Sequence, residues 1–279
     1  DGRAAVVHGR GGGHGPLETP FGISMTLVET GENLWNYETG KGGDCYFNSH
    51  WNKRHVYWFH RQNHLILDAT SGKLLREQNV IASADFCRHD AGSNTWTLDR
   101  GVEVMAGKKQ PITNQTNIVV GDWHYFLAHD LFAIGRVHVE SGKTEYLQLP
   151  AQLQASTESR AKDRFLWTKD NLILNDTKNS RGIDIAPDKR ARNSGWGHVS
   201  AASPIQVNQY LYVPIMNGTV YVIDTGAETF DQNALMAVND LGPAGETWTL
   251  ASFSYAEGKL YMHTMKEVIC IGHRESAKP

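Results

Sequence analysis

Short apolar runs occur in pairs along this chain, and a few polar residues separate the two runs of each pair. Two clear examples are RHVYWFHRQNHLILD at 54–68 and QYLYVPIMNGTVYVID at 209–224. The runs are rich in Val, Ile, Tyr and Leu, which favour strands. Asn217-Gly218 is typical of a tight hairpin turn in which both residues accept positive φ. Only 231–238 fits one or two helical turns, so the pattern predicts an all-β chain of strand–turn–strand units.

The hairpins belong to a repeat, in which an acid, small residues and a glycine separate two strands. The clearest copies are ISMTLVETGENLWNYE (23–38), HLILDATSGKLLRE (64–77) and IGRVHVESGKTEYL (134–147). Weaker copies occupy 181–191 and 219–231, and a truncated copy occupies 267–272. Most copies lie about 40–50 residues apart, which is the length of a four-stranded propeller blade. One longer interval contains an insertion at 79–113.

This repeat predicts a β-propeller of four-stranded antiparallel blades, with about six visible units in one domain. The domain is expected to span 1–272, followed by a disordered tail at 273–279. The first unit begins abruptly at Ala4–Val7, and the last ends after a single hairpin. One interpretation is that N-terminal blades of a seven- or eight-bladed ring are missing. The other is that the two end units complete one shared blade, and the sequence leaves both open.

Composition narrows the range of partners. The chain has 279 residues, 40% of them hydrophobic, and a formal net charge of −3. This charge favours neither nucleic acid nor an acidic membrane as a partner. No apolar run approaches the ~18 residues of a membrane-spanning helix. The three cysteines, Cys45, Cys87 and Cys270, form neither a CxxC pair nor a disulfide framework. A small polar ligand such as a carbohydrate is the expected partner, and a protein partner is not identified.

Three copies of the repeat carry recognisable residues. These are Gly31 and Trp35 in one copy, Asp68, Gly72, Lys73 and Leu74 in another, and Ser203-Pro204, Tyr212-Val213, Gly218, Val220-Tyr221 and Asp224 in the third. Together they resemble the repeat of PQQ-like β-propellers, a family of quinoprotein alcohol dehydrogenases, the outer-membrane assembly propeller lipoprotein and many secreted bacterial proteins of unknown role. The resemblance implies a propeller fold and a periplasmic or extracellular location. It leaves function open, because this fold hosts unrelated roles.

The quinone-dependent members of this family carry adjacent cysteines beside the quinone. No two cysteines are adjacent in this chain. This difference argues against PQQ as a cofactor. A PQQ-dependent oxidoreductase therefore ranks third, behind a ligand-binding propeller and a non-catalytic scaffold.

Polar segments between the strands exceed what a repeat scaffold needs. In a propeller such loops converge, so residues distant in sequence form one site. Aromatic rings beside amides and basic groups suit a hydroxyl-rich, carbohydrate-like ligand, because the ring packs on C–H surface while the polar groups bind hydroxyls. The residues predicted to bind it are Arg10, Asn114, Asn117, Trp123, Lys178, Asn179, Arg181, Trp196 and Trp248. The alternative for each Trp is that it fills space between blades.

Histidines are the candidate ligands of a divalent metal. Imidazole is the commonest transition-metal ligand, and two of the histidines flank the glycine-rich segment HGRGGGHG at 8–15. The candidates are His8, His14, His124 and His198. Their spacing matches no recognised metal motif, so the alternative for each is a structural role at a turn or between blades.

The sequence leaves open whether the protein is an enzyme. His124 and Tyr125 have the groups to remove a proton α to a uronate carboxylate, which Arg181 would neutralise. Asp240 and Glu246 are candidates for a carboxylate pair in hydrolysis. The leading function is a propeller with a polar pocket for a hydroxyl-rich ligand, with metal assistance as an option. The second alternative is a non-catalytic scaffold that docks a protein partner.

Overall fold

The protein is described by a computed structural model in two compact units. It covers residues 4–10, 21–40, 49–104, 112–113, 116–128, 131–154, 156–167, 178–184, 202–242 and 247–272. The first unit comprises residues 1–88 and 97–147, and the second comprises 89–96 and 148–279. No helix within the described ranges is long and apolar enough to cross a membrane.

Strands dominate the described residues. In chain order they are β1 (Ala5–Arg10), β2 (Phe21–Leu27), β3 (Asn33–Gly40), β4 (Ser49–Trp51), β5 (His55–His60), β6 (Asn63–Asp68), β7 (Leu74–Asn79), β8 (Ala84–Asp90), β9 (Thr95–Val102), β10 (Ile118–Val120), β11 (Trp123–Ala128), β12 (Ala133–His138), β13 (Thr144–Gln148), β14 (Gln152–Gln154), β15 (Arg164–Leu166), β16 (Ile205–Val207), β17 (Tyr210–Pro214), β18 (Thr219–Asp224), β19 (Leu235–Asp240), β20 (Ser254–Ala256), β21 (Lys259–His263) and β22 (Val268–Ile271). Single 3-10 turns occur at Arg160–Lys162 and Gln232–Ala234.

The described part of the first unit contains three sheets. Strands β1–β2–β3 form an antiparallel sheet, and β4–β5–β6–β7 form a four-stranded antiparallel sheet. The third sheet has the order β10–β11–β12–β13–β8–β9, and β13 runs parallel to β8. Strands β8 and β9 come from the predicted insertion at 79–113, so the insertion widens a sheet. The tip of their hairpin, 89–96, belongs to the second unit.

The first two sheets share one hydrophobic core. The central strands β5 and β6 are buried on both faces, which explains why their sequences are almost continuously apolar. The shared core consists of Val7, Ile23, Trp35, Val56, Trp58, Leu65, Leu67 and Ala69. Each sheet therefore buries its apolar face against its neighbour, as expected for stacked repeats.

The repeat turn after β6 shows why the motif has an acid and a glycine. Asp68 Oδ1 accepts hydrogen bonds from the backbone N of Thr70 and Ser71, at 3.1 and 2.8 Å. Gly72 has φ of 69°, and a Cβ there would lie 2.6 Å from the Trp35 ring. The Trp35 indole Nε1 donates to the carbonyl of Ala69 at 2.9 Å. Glycine is therefore required by both the backbone angle and the packing of the tryptophan.

The described part of the second unit is also built from small sheets. Strands β16–β17–β18–β19 form a four-stranded antiparallel sheet, β20–β21–β22 a three-stranded one, and β14–β15 a hairpin. Asn217 Nδ2 donates to the carbonyl of Ala151, and Tyr221 Oη donates to that of Pro150 at 2.6 Å. These two bonds fix the segment before β14 against the hairpin of β17 and β18.

Two local predictions need correction. Asn217-Gly218 does lie in a hairpin turn, but only Gly218 has a positive φ, of 89°. The turn spans four residues between β17 and β18, so Asn217 keeps an ordinary backbone angle. The expected helix at 231–238 is limited to the 3-10 turn Gln232–Ala234. The rest is strand β19, because pairing with β18 outweighs a weak helical pattern.

The predicted fold class is confirmed: the described chain is all-β, and apart from the parallel pair β13–β8 its sheets are antiparallel, of the kind that form propeller blades. The closed ring, its number of blades and the single domain stay predictions. The expected disordered tail at 273–279 lies outside the described residues.

Candidate functional site

The histidines predicted to bind metal do not form a metal site among the described residues. His8 is exposed on β1, and its Nε2 lies 3.0 Å from Thr26 Oγ1. His124 is fully buried on β11, while His14 and His198 lie outside the described ranges. In the described part of the chain, no three His, Cys, Asp or Glu side chains are placed to hold an ion. Metal binding therefore stays a prediction.

His124 is the centre of a buried hydrogen-bond chain in the first unit. Its Nε2 lies 2.6 Å from Asn117 Oδ1, and its Nδ1 lies 2.9 Å from His64 Nε2. With Asn117 Oδ1 assigned as the acceptor, His124 Nε2 carries the proton and Nδ1 accepts from His64 Nε2–H. All three side chains are at most 2% exposed. These bonds pair the polar atoms of the three side chains inside the core, except for His64 Nδ1, which has no partner among the described atoms. The buried side chains offer no surface to a ligand.

Burial keeps both imidazoles neutral. Burial lowers the pKa of His64 to about 3, and the charge of Arg76 adds to this shift. Burial also holds the pKa of His124 well below its usual value, with smaller contributions from His64 and His50. A general base works best when its pKa lies near the working pH. Neither ring is therefore suited to proton transfer near neutral pH.

Trp123 and Tyr125 pack around a buried ion pair. Arg136 Nη2 lies 2.6 Å from Oε2 of Glu145, and both side chains are buried. Arg136 Nη1 donates to Tyr125 Oη over 3.5 Å, and the guanidinium carbon lies 4.0 Å from the centre of the Trp123 ring. Trp123 thus packs on a buried cation of β12, the neighbouring strand of its own sheet. Its contact with a ligand stays a prediction.

Two of the three candidate catalytic residues point in opposite directions. His124 and Tyr125 are adjacent on β11, so their side chains lie on opposite faces of the sheet. Arg181 belongs to the second unit and is exposed. It lies in a turn closed by Asn179, whose Oδ1 accepts from the backbone N of Arg181 and Ile183 at 2.9 and 3.0 Å. The Asn179 side chain thus has a local structural role.

The segments of Lys178 and Trp248 are neighbours in the second unit: the backbone N of Ser180 donates to the carbonyl of Met265 at 3.0 Å, and the backbone N of Met265 donates to the carbonyl of Trp248 at 2.9 Å. Lys178 is exposed and pairs with Asp184 through an isolated β-bridge. Trp248 is half-buried, and its indole N–H is buried with no acceptor among the described residues. The side chain of Arg10 and the residues Asn114 and Trp196 lie outside the described part of the structure.

The second unit contains a polar cleft of about 790 Å³, which is large enough for a small ligand. One wall is formed by β14 and the segment that follows it, and the other by β19 and the residues after it. The lining residues are Leu153, Gln154, Ser156, Thr157, Arg160, Asp163, Val238, Asn239, Asp240 and Gly242.

Local hydrogen bonds shape the wall formed by residues 156–163. Asp163 Oδ1 accepts from the backbone N of Ser156 at 2.8 Å and closes the loop. Ser159 Oγ accepts from the backbone N of Ala161 at 3.1 Å, which caps the 3-10 turn. The capped turn positions Arg160 on the cleft, the one guanidinium among the lining residues.

Asp240 is the residue lining this cleft whose pKa is shifted most from its ordinary value. It ends β19, and its Oδ1 accepts from the backbone N of Gly242 at 3.2 Å. Its Oδ2 is buried and has no partner among the described atoms. Burial raises the pKa of the Asp240 carboxyl to about 6, against the opposing effect of hydrogen bonds from the backbone of Gly242 and Leu241. Thr219, which lies directly opposite on β18, also has a buried hydroxyl without a partner among those atoms.

This arrangement suits hydrogen bonding to a polar ligand. The second torsion of an aspartate side chain is broad, so a modest rotation presents either oxygen of Asp240 to the cleft. The carboxyl titrates near neutrality, so it accepts hydrogen bonds when ionised and donates one when protonated. A titratable group with a shifted pKa in a cleft is the kind of group that functional sites use. The predicted partner of Asp240 in hydrolysis, Glu246, lies outside the described residues.

The sequence indicated Asp240 but not the opposite wall of the cleft. The polar residues of that wall come from the run QASTESRAKD at 154–163, which contains no hydrophobic residue other than two alanines. Its polarity was a usable signal, since it separates two short strands. Which side chains line a cleft depends on the turn at 160–162, and the sequence pattern does not specify this turn.

Comparisons with known proteins identify no family. No protein-family model matches the chain significantly, and no curated protein matches it significantly. Solved structures do show some similarity. The computationally designed protein Ika8 is 11% identical with a TM-score of 0.45, covering 91% of this chain and 54% of that one. BamB from Moraxella catarrhalis is 13% identical with a TM-score of 0.38, covering 86% of this chain and 62% of that one.

A third similar structure is the quinohemoprotein alcohol dehydrogenase ADHIIG from Pseudomonas putida HK5. It is 11% identical with a TM-score of 0.45, covering 91% of this chain and 40% of that one. The chain therefore spans less than two thirds of each of these three proteins. Similarity at this level establishes neither a shared family nor a shared function.

Proposed function

We propose that the cleft of the second unit binds a hydroxyl-rich, carbohydrate-like ligand, with Asp240 as the central hydrogen-bonding group. The observation that supports this is a carboxyl that lines the cleft and has one buried oxygen without a partner among the described atoms. An unsatisfied buried polar atom costs about 1–3 kcal/mol. A ligand hydroxyl that donates to this carboxyl would offset that cost.

The remaining lining groups favour a neutral polyhydroxylated ligand. Gln154, Asn239, Ser156 and Thr157 both donate and accept hydrogen bonds, as sugar hydroxyls do. Two carboxyls, from Asp163 and Asp240, disfavour an anionic ligand, and the guanidinium of Arg160 disfavours a cationic one. We also propose the periplasm or the extracellular space as the location, on the basis of the repeat resemblance.

Calorimetric titration with a panel of neutral sugars tests the proposal. We expect Asp240→Asn to weaken binding about tenfold or more, because an amide cannot accept hydrogen bonds from both atoms as a carboxylate does. Asp224→Asn is the matched control: it lies in the same sheet, and its Oδ1 accepts from the backbone N of Gly226 in a turn. Unchanged binding by Asp240→Asn, or equal losses in both variants, would contradict a role for this cleft. Binding of a protein partner with no sugar affinity would favour the scaffold alternative.

A further inference from the structure

A cluster of aromatic rings in the second unit is not explained by the cleft alone. The His89 and Trp167 rings are stacked, with centroids 3.8 Å apart and planes 18° apart. Trp96 packs edge-on against both, at 5.0 Å from His89 and 5.5 Å from Trp167. Phe165 lies 6.4 Å from Trp167 and is 47% exposed. The two tryptophans are only partly buried, so the cluster presents aromatic surface to solvent.

Hydrogen bonds hold the histidine of this cluster in place. The backbone N of His89 donates to Gln148 Oε1 at 2.9 Å, and its Nε2 lies 3.1 Å from Asn94 Oδ1. If Nε2 donates to that amide oxygen, Nδ1 is left as an acceptor. Nδ1 is buried and has no partner among the described atoms. The His89 ring is therefore held in place on the hairpin tip at 89–96, and the Trp167 ring stacks on it.

The aromatic cluster is continuous with the wall of the cleft. Leu153, which lines the cleft, is paired directly with Phe165 across β14 and β15. Directly opposite residues of an antiparallel pair have their side chains on one face. Phe165 and Trp167 are two residues apart and in contact. A row of rings thus runs from the edge of the cleft through Phe165 to Trp167 and its neighbours.

We infer that this aromatic row is a second subsite, which stacks a further sugar ring of an oligosaccharide whose first ring lies in the cleft. The inference rests on the proposed function, because the cleft supplies the polar contacts of the first ring. Rigid aromatic faces pack well on the C–H face of a pyranose, and they lose little side-chain entropy on binding. Nucleobases also stack on such rings, but the chain is not basic and two carboxyls line the adjoining cleft, which disfavours a phosphate backbone.

The test compares ligands of increasing length. The probes are cello-, malto- and chito-oligosaccharides of one to four units, with dissociation constants from calorimetry and quenching of tryptophan fluorescence as a second readout. For the series that binds, affinity in the wild type is expected to rise about tenfold or more from one unit to three. Trp167→Ala should remove this rise and leave the affinity for one unit unchanged. Trp167→Phe should restore part of the rise, because a smaller ring remains.

Matched variants separate the two proposals. Trp51→Ala removes an exposed tryptophan of the first unit and is expected to leave every affinity unchanged. Asp240→Asn should weaken all lengths by the same factor. Binding that depends on Asp240 but not on length or Trp167 would overturn the aromatic subsite and leave the cleft proposal intact. Length-dependent binding that requires Trp167 but not Asp240 would overturn the cleft proposal instead. Quenching by an oligothymidylate but by no sugar would overturn the assignment of a carbohydrate, and binding of no probe would overturn both.

Discussion

Each unit contains buried titratable groups with strongly shifted pKa values, yet the two sets have different surroundings. In the first unit, His64 and His124 are fully buried and bonded to each other, and His124 is also bonded to Asn117. In the second unit, Asp240 lines a cleft, and one of its oxygens has no partner among the described atoms. Burial shifts the pKa in both cases. Because His64 Nδ1 also lacks a partner among the described atoms, neither a shifted pKa nor an unmet hydrogen bond marks a site by itself; access from a cleft distinguishes a binding group from a core group.

The largest expected effect comes from breaking the buried histidine chain. His124→Ala removes the hydrogen bond to Asn117 Oδ1 and leaves the buried Nε2 of His64 without its acceptor. We expect a loss of about 3 kcal/mol in the free energy of unfolding, measured by urea denaturation. The control His8→Ala removes an exposed histidine and should change stability by less than about 0.5 kcal/mol. A loss below about 1 kcal/mol in His124→Ala would mean that the hydrogen bonds of His124 contribute little to the stability of the fold.

Lowering the pH should change the stability contributions of the two sets in opposite directions. His64 binds a proton in the unfolded chain below pH 6.5, but in the folded protein only near pH 3. The folded state is therefore destabilised as the pH falls from 6.5 towards 3, by up to about 1.4 kcal/mol per pH unit for each such histidine. His124 contributes in the same direction.

Asp240 acts in the opposite sense. The pKa of its carboxyl is about 6 in the folded protein, whereas the ordinary value for an exposed aspartate is 3.8. The folded state thus takes up the proton first, and stability rises as the pH falls from 6 towards 3.8. Urea denaturation at four pH values between neutrality and the ordinary aspartate pKa should show a steeper acid loss in Asp240→Asn than in the wild type. Parallel curves for the two proteins would contradict the shifted carboxyl.

The smallest expected effect is a gain in the free energy of unfolding. Near pH 8 the ionised Asp240 carboxylate is half-buried, and its buried Oδ2 lacks a partner among the described atoms, whereas an amide of the same shape carries no charge. We expect Asp240→Asn to raise the free energy of unfolding by about 1 kcal/mol while weakening ligand binding. A scan of thermal unfolding without ligand measures this gain, and Asp224→Asn should show none. A stability loss in Asp240→Asn would place this carboxyl among the structural groups, beside His124.

The local elements were predictable because their causes are local. The acid and glycine of the turn at 68–72 indicated a hairpin connection, and the dipeptide Asn217-Gly218 indicated another. The insertion at 79–113 was also visible as an irregular interval between copies. Its strand β8, however, pairs in parallel with β13, and such a long-range pairing leaves no periodic mark in the sequence.

The candidate sites were less predictable because their residues, like β8 and β13, meet through long-range contacts. His124 was a reasonable candidate from its polar neighbours, but its partner His64 is sixty residues away in the sequence. The sequence pairs Asp240 with Glu246, whereas the cleft places it with the segment at 154–163. The stacked pair of His89 and Trp167 joins a hairpin tip to a strand end. Each of these three groupings depends on tertiary contacts that the spacing of residues in the sequence does not predict.

The contact of Trp35 with the turn at Ala69 and Gly72 has a consequence for synthesis on the ribosome. The indole N–H of Trp35 meets its acceptor only when residue 69 is present, and Gly72 completes the packing surface over its ring. A nascent chain that ends before this turn therefore carries an uncovered tryptophan at the end of its first sheet. Chaperones recognise such surfaces. The first sheet is thus completed by the next segment of the chain to emerge, and translation arrested when residue 40 but not residue 69 has left the ribosome should leave the sheet open to chaperone capture.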